Sequence, residues 1–206
     1  MSETFDEIKS KIKDTFEESI DVKNTIIRQE LFEVLRLAGD LIADSIEKGG
    51  KLMICGNGGS AADAQHLAAE FLIRLTPKVN RKGIPAISLA QDTSTLTACI
   101  NDYSSDDIFK RVLSTLGQPN DVLLAITTSG NSNNILQALQ EAKNMSIPSI
   151  GFLGNEGGKA LELCNYAFVV PSSITGRIQE SHITAGHAML QYIEDVLLKR
   201  KFLTLS

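Results

Sequence analysis

His66 and Glu70 stand four residues apart in an alanine-rich stretch, so on a helix they share one face and both can reach one ligand. An imidazole that exchanges protons near neutral pH, beside a carboxylate, is a pairing suited to proton transfer or to metal ligation. Alone, an i,i+4 His/Glu pair is more often a solvated helix pair, so its meaning depends on its surroundings. Immediately upstream runs Leu52-Met53-Ile54-Cys55-Gly56-Asn57-Gly58-Gly59-Ser60, a short apolar segment that breaks into glycines and then enters the helix. A strand, a glycine turn and a helix start place orphan N–H groups and the positive end of the helix dipole at one point, where an anion binds. The turn is no P-loop, since no Gly-Lys-Ser/Thr follows, and it fits the dinucleotide fingerprint poorly.

Two further constellations stand out. Thr127-Thr128-Ser129-Gly130-Asn131-Ser132 offers four hydroxyls around a glycine, between an apolar run and a helical one. Such a loop can wrap a phosphate with hydroxyls and backbone N–H groups and no positive charge, although the same residues also make plain turns and N-caps. Arg177-Ile178-Gln179-Glu180-Ser181-His182 and His187 hold the other two of the three histidines. His182 and His187 are five apart, so on a regular helix they face different directions and do not readily serve one site. A lone core-facing histidine is usually structural, and His182 and Glu180 read first as ordinary helix residues.

The elements that must position these groups follow from periodicity. Thr4-x-x-Glu7 is a capping box, and Phe5, Ile8, Ile12, Phe16 and Ile20 follow at helical spacing. A second helix is expected over Ile26 to Glu47, ended by Gly49-Gly50. Strands are expected at Leu52–Cys55, Ile84–Leu89, Asp121–Ile126, Ser149–Leu153 and Tyr166–Val170. Helices are expected at Ala61–Leu75, Thr93–Ile100, Asp106–Leu116, Asn133–Lys143, Ala160–Leu163 and Gln179–Arg200. Strands alternating with helices predict a parallel sheet covered on both faces, with ligands outside the carboxyl ends of its strands. Thr76 to Gly83, polar and containing Pro77, is the stretch expected to be loosest.

The bulk numbers narrow the function classes. A chain of 206 residues with 43% hydrophobic and 22% charged residues reads as one ordinary globular domain. A net charge of −5 argues against a nucleic-acid-binding surface. No apolar run approaches the ~20 residues of a membrane span, and Met1 to Asp6 carries no signal-peptide pattern. Cys55, Cys99 and Cys164 show no CxxC spacing and read as free thiols in a reducing, cytoplasmic compartment, with Cys55 on a buried strand.

In their order along the chain, Cys55 to Ser60, Asp63-Ala-Gln-His66 with Glu70, Asn101-Asp102, Thr127 to Ser132, and Arg177 to Glu180 with His187 resemble the sedoheptulose-7-phosphate (phosphoheptose) isomerases of the sugar isomerase, or SIS, fold family. The resemblance covers nearly the whole chain. It implies an α/β three-layer sandwich with a central five-stranded parallel sheet flanked by helices, plus N-terminal helices. Residues 1–206 would form a single SIS domain, with 1–50 packing between copies of an oligomer, a tetramer by resemblance, and 51–206 as the α/β core. It implies that Asn57, Gly58, Gly59, Glu70, Asn101, Asp102 and Gln179 line a phosphorylated sugar, whose phosphate rests on Thr127, Thr128, Ser129 and Ser132. Glu70 and His187 correspond to the catalytic pair; His66, Glu70, Gln179 and His187 correspond to a site for one zinc ion per subunit.

Thr127 stands where relatives also carry Ser, and it keeps the hydroxyl. The implied activity interconverts a ketose and an aldose through an enediol, for heptose synthesis toward lipopolysaccharide or capsule. The same fold also serves without catalysis, as phosphosugar-sensing domains and as partners of the bacterial replication initiator; the joint presence of His66, Glu70, Gln179 and His187 favours the enzyme. An isomerase of another phosphosugar is a further alternative. One geometrical difficulty stands: Gln179 and His187 are separated by roughly 12 Å of helix rise. Either Gln179 lies at an irregular helix start, or two subunits share the site.

Overall fold

Thr4 opens the first helix, and the structure, a computed structural model, describes residues 4–90 and 92–205. The Thr4 side chain accepts from the Glu7 N–H at 3.3 Å, and Glu7 Oε2 accepts from the Thr4 N–H at 2.6 Å, completing the capping box. Helix α1 then runs Phe5–Arg28 without a single buried residue. Its end departs from expectation: Ile26 and Ile27 belong to α1, and α2 begins only at Glu33 and runs to Glu47. The break is made by Glu30, whose φ is +52°. No glycine or proline marks it, so the helical periodicity reads straight through.

Five strands follow: β1 Leu52–Gly56, β2 Ala86–Ser88, β3 Val122–Thr127, β4 Ser149–Gly154 and β5 Tyr166–Val170. They form one parallel sheet in the order β2-β1-β3-β4-β5. Strands β1, β3 and β4 are buried at every residue, as a sheet covered on both faces requires. Alternate side chains go to opposite layers. Leu52 and Ile54 join the cluster under α2, α3 (Gly59–Leu72) and α7 (Thr175–Lys199). Met53 and Cys55 join the cluster under α4 (Thr93–Asp102), α5 (Ile108–Leu116) and α6 (Asn133–Asn144). The three-layer sandwich is therefore as expected, and the three cysteines are free thiols.

The amino ends of β1 and β3 are stapled by Asp121. Its carboxylate accepts from the Lys51 N–H at 2.9 Å and from Lys51 Nζ at 2.6 Å. The other end of these two strands is where the strand order reverses, because β1 leads to β2 on one side and to β3 on the other. Gly56 pairs in register with Ile126 there, so the loops after β1 and β3 lie side by side at the crevice where open α/β sheets bind ligands.

Candidate active site

The two expected anion loops meet at that crevice. Asn57, in the glycine turn after β1, and Asn134, in the first turn of α6, exchange two amide hydrogen bonds of 2.8 and 2.9 Å. This pair ties the amino end of α3 to the amino end of α6. Neither helix start uses a side-chain cap: Gly58 precedes α3, and Ser132 precedes α6 without a capping bond. Backbone carbonyls take the N–H groups of Ser60, Ala61 and Ile135; the first N–H groups of each helix and both helix dipoles are left to a ligand. Around them, Thr127 Oγ1 lies 3.4 Å from Ser132 Oγ, and Ser129 Oγ accepts from the Asn131 N–H at 3.1 Å, which leaves its own proton to donate. The loop is held from below by the Ala160 N–H on Gly130 O at 2.9 Å and the Lys159 N–H on Asn131 Oδ1 at 3.2 Å.

Deeper along α3, the acid–base groups assemble. His66 Nε2 and His187 Nε2 stand 2.9 Å apart, with the rings edge to face. One proton shared between the two nitrogens satisfies that contact. His66 Nε2 is 4.0 Å from Glu70 Oε1, and Glu70 Oε2 is buried with no hydrogen-bond partner among the described residues. Asp63, which sequence reasoning left outside the site, belongs to the same neighbourhood. Its Oδ2 is also buried without a partner, and burial raises its carboxyl against the pull of His66 and His187. The signal for it was present, since Asp63 precedes His66 by three residues and shares its helix face.

Gln179 corrects the expectation of an irregular helix start. Helix α7 is helical from Thr175, so Gln179 lies in its second turn. The amide reaches the mouth of α3 rather than the histidines: a Cβ on Gly59 would sit 2.6 Å from Gln179 Nε2, so a side chain there would push the amide aside. Gln179 therefore lies at the anion loop, and His187, about two turns further along α7, lies against His66 of α3. Asn101 and Asp102 occupy the end of α4, where Asn101 Nδ2 donates to Asp102 Oδ1 at 2.8 Å.

The remaining candidates are structural. His182 is buried against Phe152 and Phe168 and bonds Leu153 O at 2.9 Å; burial pushes its imidazole down to about 4. Arg177 ties α7 to α1 through Thr15 O and pairs with Glu180. Burial works against ionising Glu180, but hydrogen bonds from Ser19 and Arg177 outweigh it and hold the carboxyl below its usual range.

A divalent ion of the zinc type takes imidazole, carboxylate and amide donors, and two nitrogens at 2.0–2.1 Å in a tetrahedral shell lie about 3.3 Å apart. His66 and His187 approach that spacing, and the orphaned Glu70 oxygen beside them supplies an unspent acceptor. The donors fit the ion in kind, while among the described residues no three or more His, Cys, Asp or Glu groups already close around one point.

Comparison with known proteins agrees with this geometry. The family described as SIS domain matches residues 15–154. A phosphoheptose isomerase of Thermodesulfovibrio yellowstonii is 43% identical over 193 residues, covering 94% of this chain and 94% of the relative. One of Paramagnetospirillum magneticum is 52% identical over 153 residues, covering 74% and 79%. The solved phosphoheptose isomerase of Neisseria gonorrhoeae superposes with a TM-score of 0.84 at 38% identity, covering 91% of this chain and 99% of the other. That of Francisella tularensis gives 0.85 at 35% identity, covering 90% and 97%. The long coverage at these identities, with both anion loops and the His66–His187 contact in place, settles the affiliation: the chain belongs to the phosphoheptose isomerase family of SIS-domain proteins.

Proposed function

We propose that this protein is an aldose–ketose isomerase that converts D-sedoheptulose 7-phosphate to D-glycero-D-manno-heptose 7-phosphate. The observation that carries this reading is the meeting of His66, His187 and Glu70 beside the paired mouths of α3 and α6. A binding module needs only the mouths. An isomerase also needs a base and an acid within reach of adjacent carbons, and those are the groups that converge.

The phosphate rests on the hydroxyls of Thr127, Thr128, Ser129 and Ser132 and on the free N–H groups of the two helices. Asn57, Gly58, Gly59, Gln179, Asn101 and Asp102 are assigned to the sugar. Glu70 takes a proton from C1 of the ketose, and the electron pair forms the C1–C2 double bond. The C2 carbonyl oxygen takes a proton from His187, giving the enediol. The C1 hydroxyl then returns a proton to His187 as its carbonyl forms, and C2 receives the proton held by Glu70. The protonation states of both residues end as they began. His66, His187 and Glu70 would hold one zinc ion per subunit, which supplies polarisation of a carbonyl oxygen when bound, while Gln179, at the mouth of α3, stays with the sugar.

The whole chain acts as one SIS domain, with 51–206 as core and 1–50 packing between copies, most simply in a tetramer. Support for this comes from α1, whose Phe5, Ile12 and Phe16 are 90%, 66% and 68% exposed along one helix. No helix among the described residues is long and apolar enough to cross a membrane. The free thiols fit a cytoplasmic enzyme, and its product would feed heptose synthesis for lipopolysaccharide or capsule.

The test is turnover of sedoheptulose 7-phosphate by the purified protein, with and without a chelator. Turnover supports the isomerase, and its loss on chelation assigns the metal a part. Absence of turnover by zinc-replete protein that still binds the phosphosugar overturns the reading in favour of a sensing module.

A further inference from the structure

The segment expected to be loosest, Thr76 to Gly83, sends one side chain into the core. Arg81 and Glu194 form an ion pair with both side chains wholly buried. Arg81 comes from the loop after α3, and Glu194 from α7, seven residues beyond His187 and so on nearly the same helix face. The pair has a second task. Arg81 Nη2 donates to Glu70 O at 3.2 Å, and Nη1 donates to Phe71 O at 3.1 Å and to Lys82 O at 3.2 Å.

Helix α3 ends at Leu72, so the carbonyls of Glu70 and Phe71 are among the four that no intrahelical N–H can reach. The guanidinium fork gives Glu70 O its donor, joins the Ile84 N–H (2.8 Å) on Phe71 O, and places positive charge at the negative end of the helix dipole. Glu70 lies in that last turn. Its carbonyl is held by Arg81, while its side chain faces His66. Midway along the two helices Gly186, next to His187, packs directly on Leu67, next to His66; a Cβ there would lie 2.7 Å from Leu67 Cδ2. The crossing thus fixes the histidines, and the ion pair at its far end fixes the turn that carries Glu70.

The geometry points to Arg81 and Glu194 as positioning residues for Glu70: Arg81 caps the last turn of α3, and Glu194 locks that cap to the helix that bears His187. Neither side chain touches the reacting atoms. The consequence for turnover rests on the isomerase reading; the consequence for α3 does not.

Two variants separate positioning from a merely structural charge pair. Arg81→Met with Glu194→Leu removes both charges and keeps volume, a replacement that cores tolerate. Arg81→Lys keeps the charge and loses the fork. If the pair positions Glu70, each folded variant keeps KM for sedoheptulose 7-phosphate within about twofold, while kcat falls at least tenfold. In addition, amide exchange of residues 69–72 speeds up at least tenfold, with α6 unchanged. Wild-type kcat in a folded double variant overturns the proposal. Should the double variant not fold, wild-type kcat in Arg81→Lys does so. If the wild type itself turns over no sedoheptulose 7-phosphate, the isomerase reading fails separately. Unchanged exchange at residues 69–72 in either folded variant then overturns the cap.

Discussion

His66 Nε2 and His187 Nε2 face each other at 2.9 Å although 121 residues separate them in the chain. Two helices from opposite ends of the fold, α3 and α7, meet to make this contact, with Glu70 one turn further along α3. The catalytic assignment predicts that Glu70→Gln and His187→Ala each lower kcat by about 10²–10⁴-fold, the usual worth of a positioned acid or base. Circular dichroism and phosphosugar binding are expected to stay near wild type. Loss of folding in both variants would count against the assignment.

Ser132 separates a ligand role from a capping role. An N-cap serine normally contributes about 1 kcal/mol through its capping bond. Here that bond is absent, and the hydroxyl faces Thr127 Oγ1 instead. Ser132→Ala is therefore expected to change the unfolding free energy by less than about 0.5 kcal/mol. It should raise KM about tenfold, the loss of one hydrogen bond to a charged group. Urea melts and initial-rate kinetics on the same sample check both halves.

His182 predicts an acid-sensitive stability. Its imidazole goes from an ordinary 6.5 to about 4 because of burial. Between those values the unfolded chain binds a proton that the native chain does not, so stability falls as pH drops through the window. At pH 4.5 the loss relative to pH 7 is about 2 kcal/mol from this residue. His182→Gln should reduce the fall in unfolding free energy between pH 7 and 4.5 by about that amount. Equal falls in the two proteins would show that His182 is not the group that titrates.

Helix α1 exposes an apolar stripe that includes Ile12 and Phe16. Ile12→Glu with Phe16→Glu places two charges on it. In sedimentation equilibrium the wild type is expected as an assembly and the variant at a lower mass. An unchanged mass would locate the contact between copies elsewhere.

The parts of the fold that follow from local rules were legible. The glycine turn after Cys55, the buried runs of β3 and β4, and the hydroxyl loop at Thr127 each announce themselves through composition and period. The start of α7 did not, because Ile174 precedes it with no capping side chain, and the sequence reads as a helix starting at Gln179, which the structure places in the second turn. Arg81 and Glu194 were invisible for a different reason. A charged residue in a polar loop and another on an amphipathic helix read as solvated, and only their partnership, 113 residues apart, permits their burial. The Asn57–Asn134 pair is likewise a relation between two loops, which no single stretch records.

The placement of α7 also sets an order of assembly during synthesis. Of the described elements it leaves the ribosome last, after both mouths and all five strands. Until it docks, the sheet face under Leu52 and Ile54 lacks one cover, and His66 has no imidazole opposite it. A nascent chain that has reached Val170 can hold a sheet and two anion loops, yet none of His187, Gln179 or Glu194. On the proposed assignment, the cluster of His66, Glu70 and His187 therefore completes in a single late step, and an incomplete chain is expected to be silent rather than partly active.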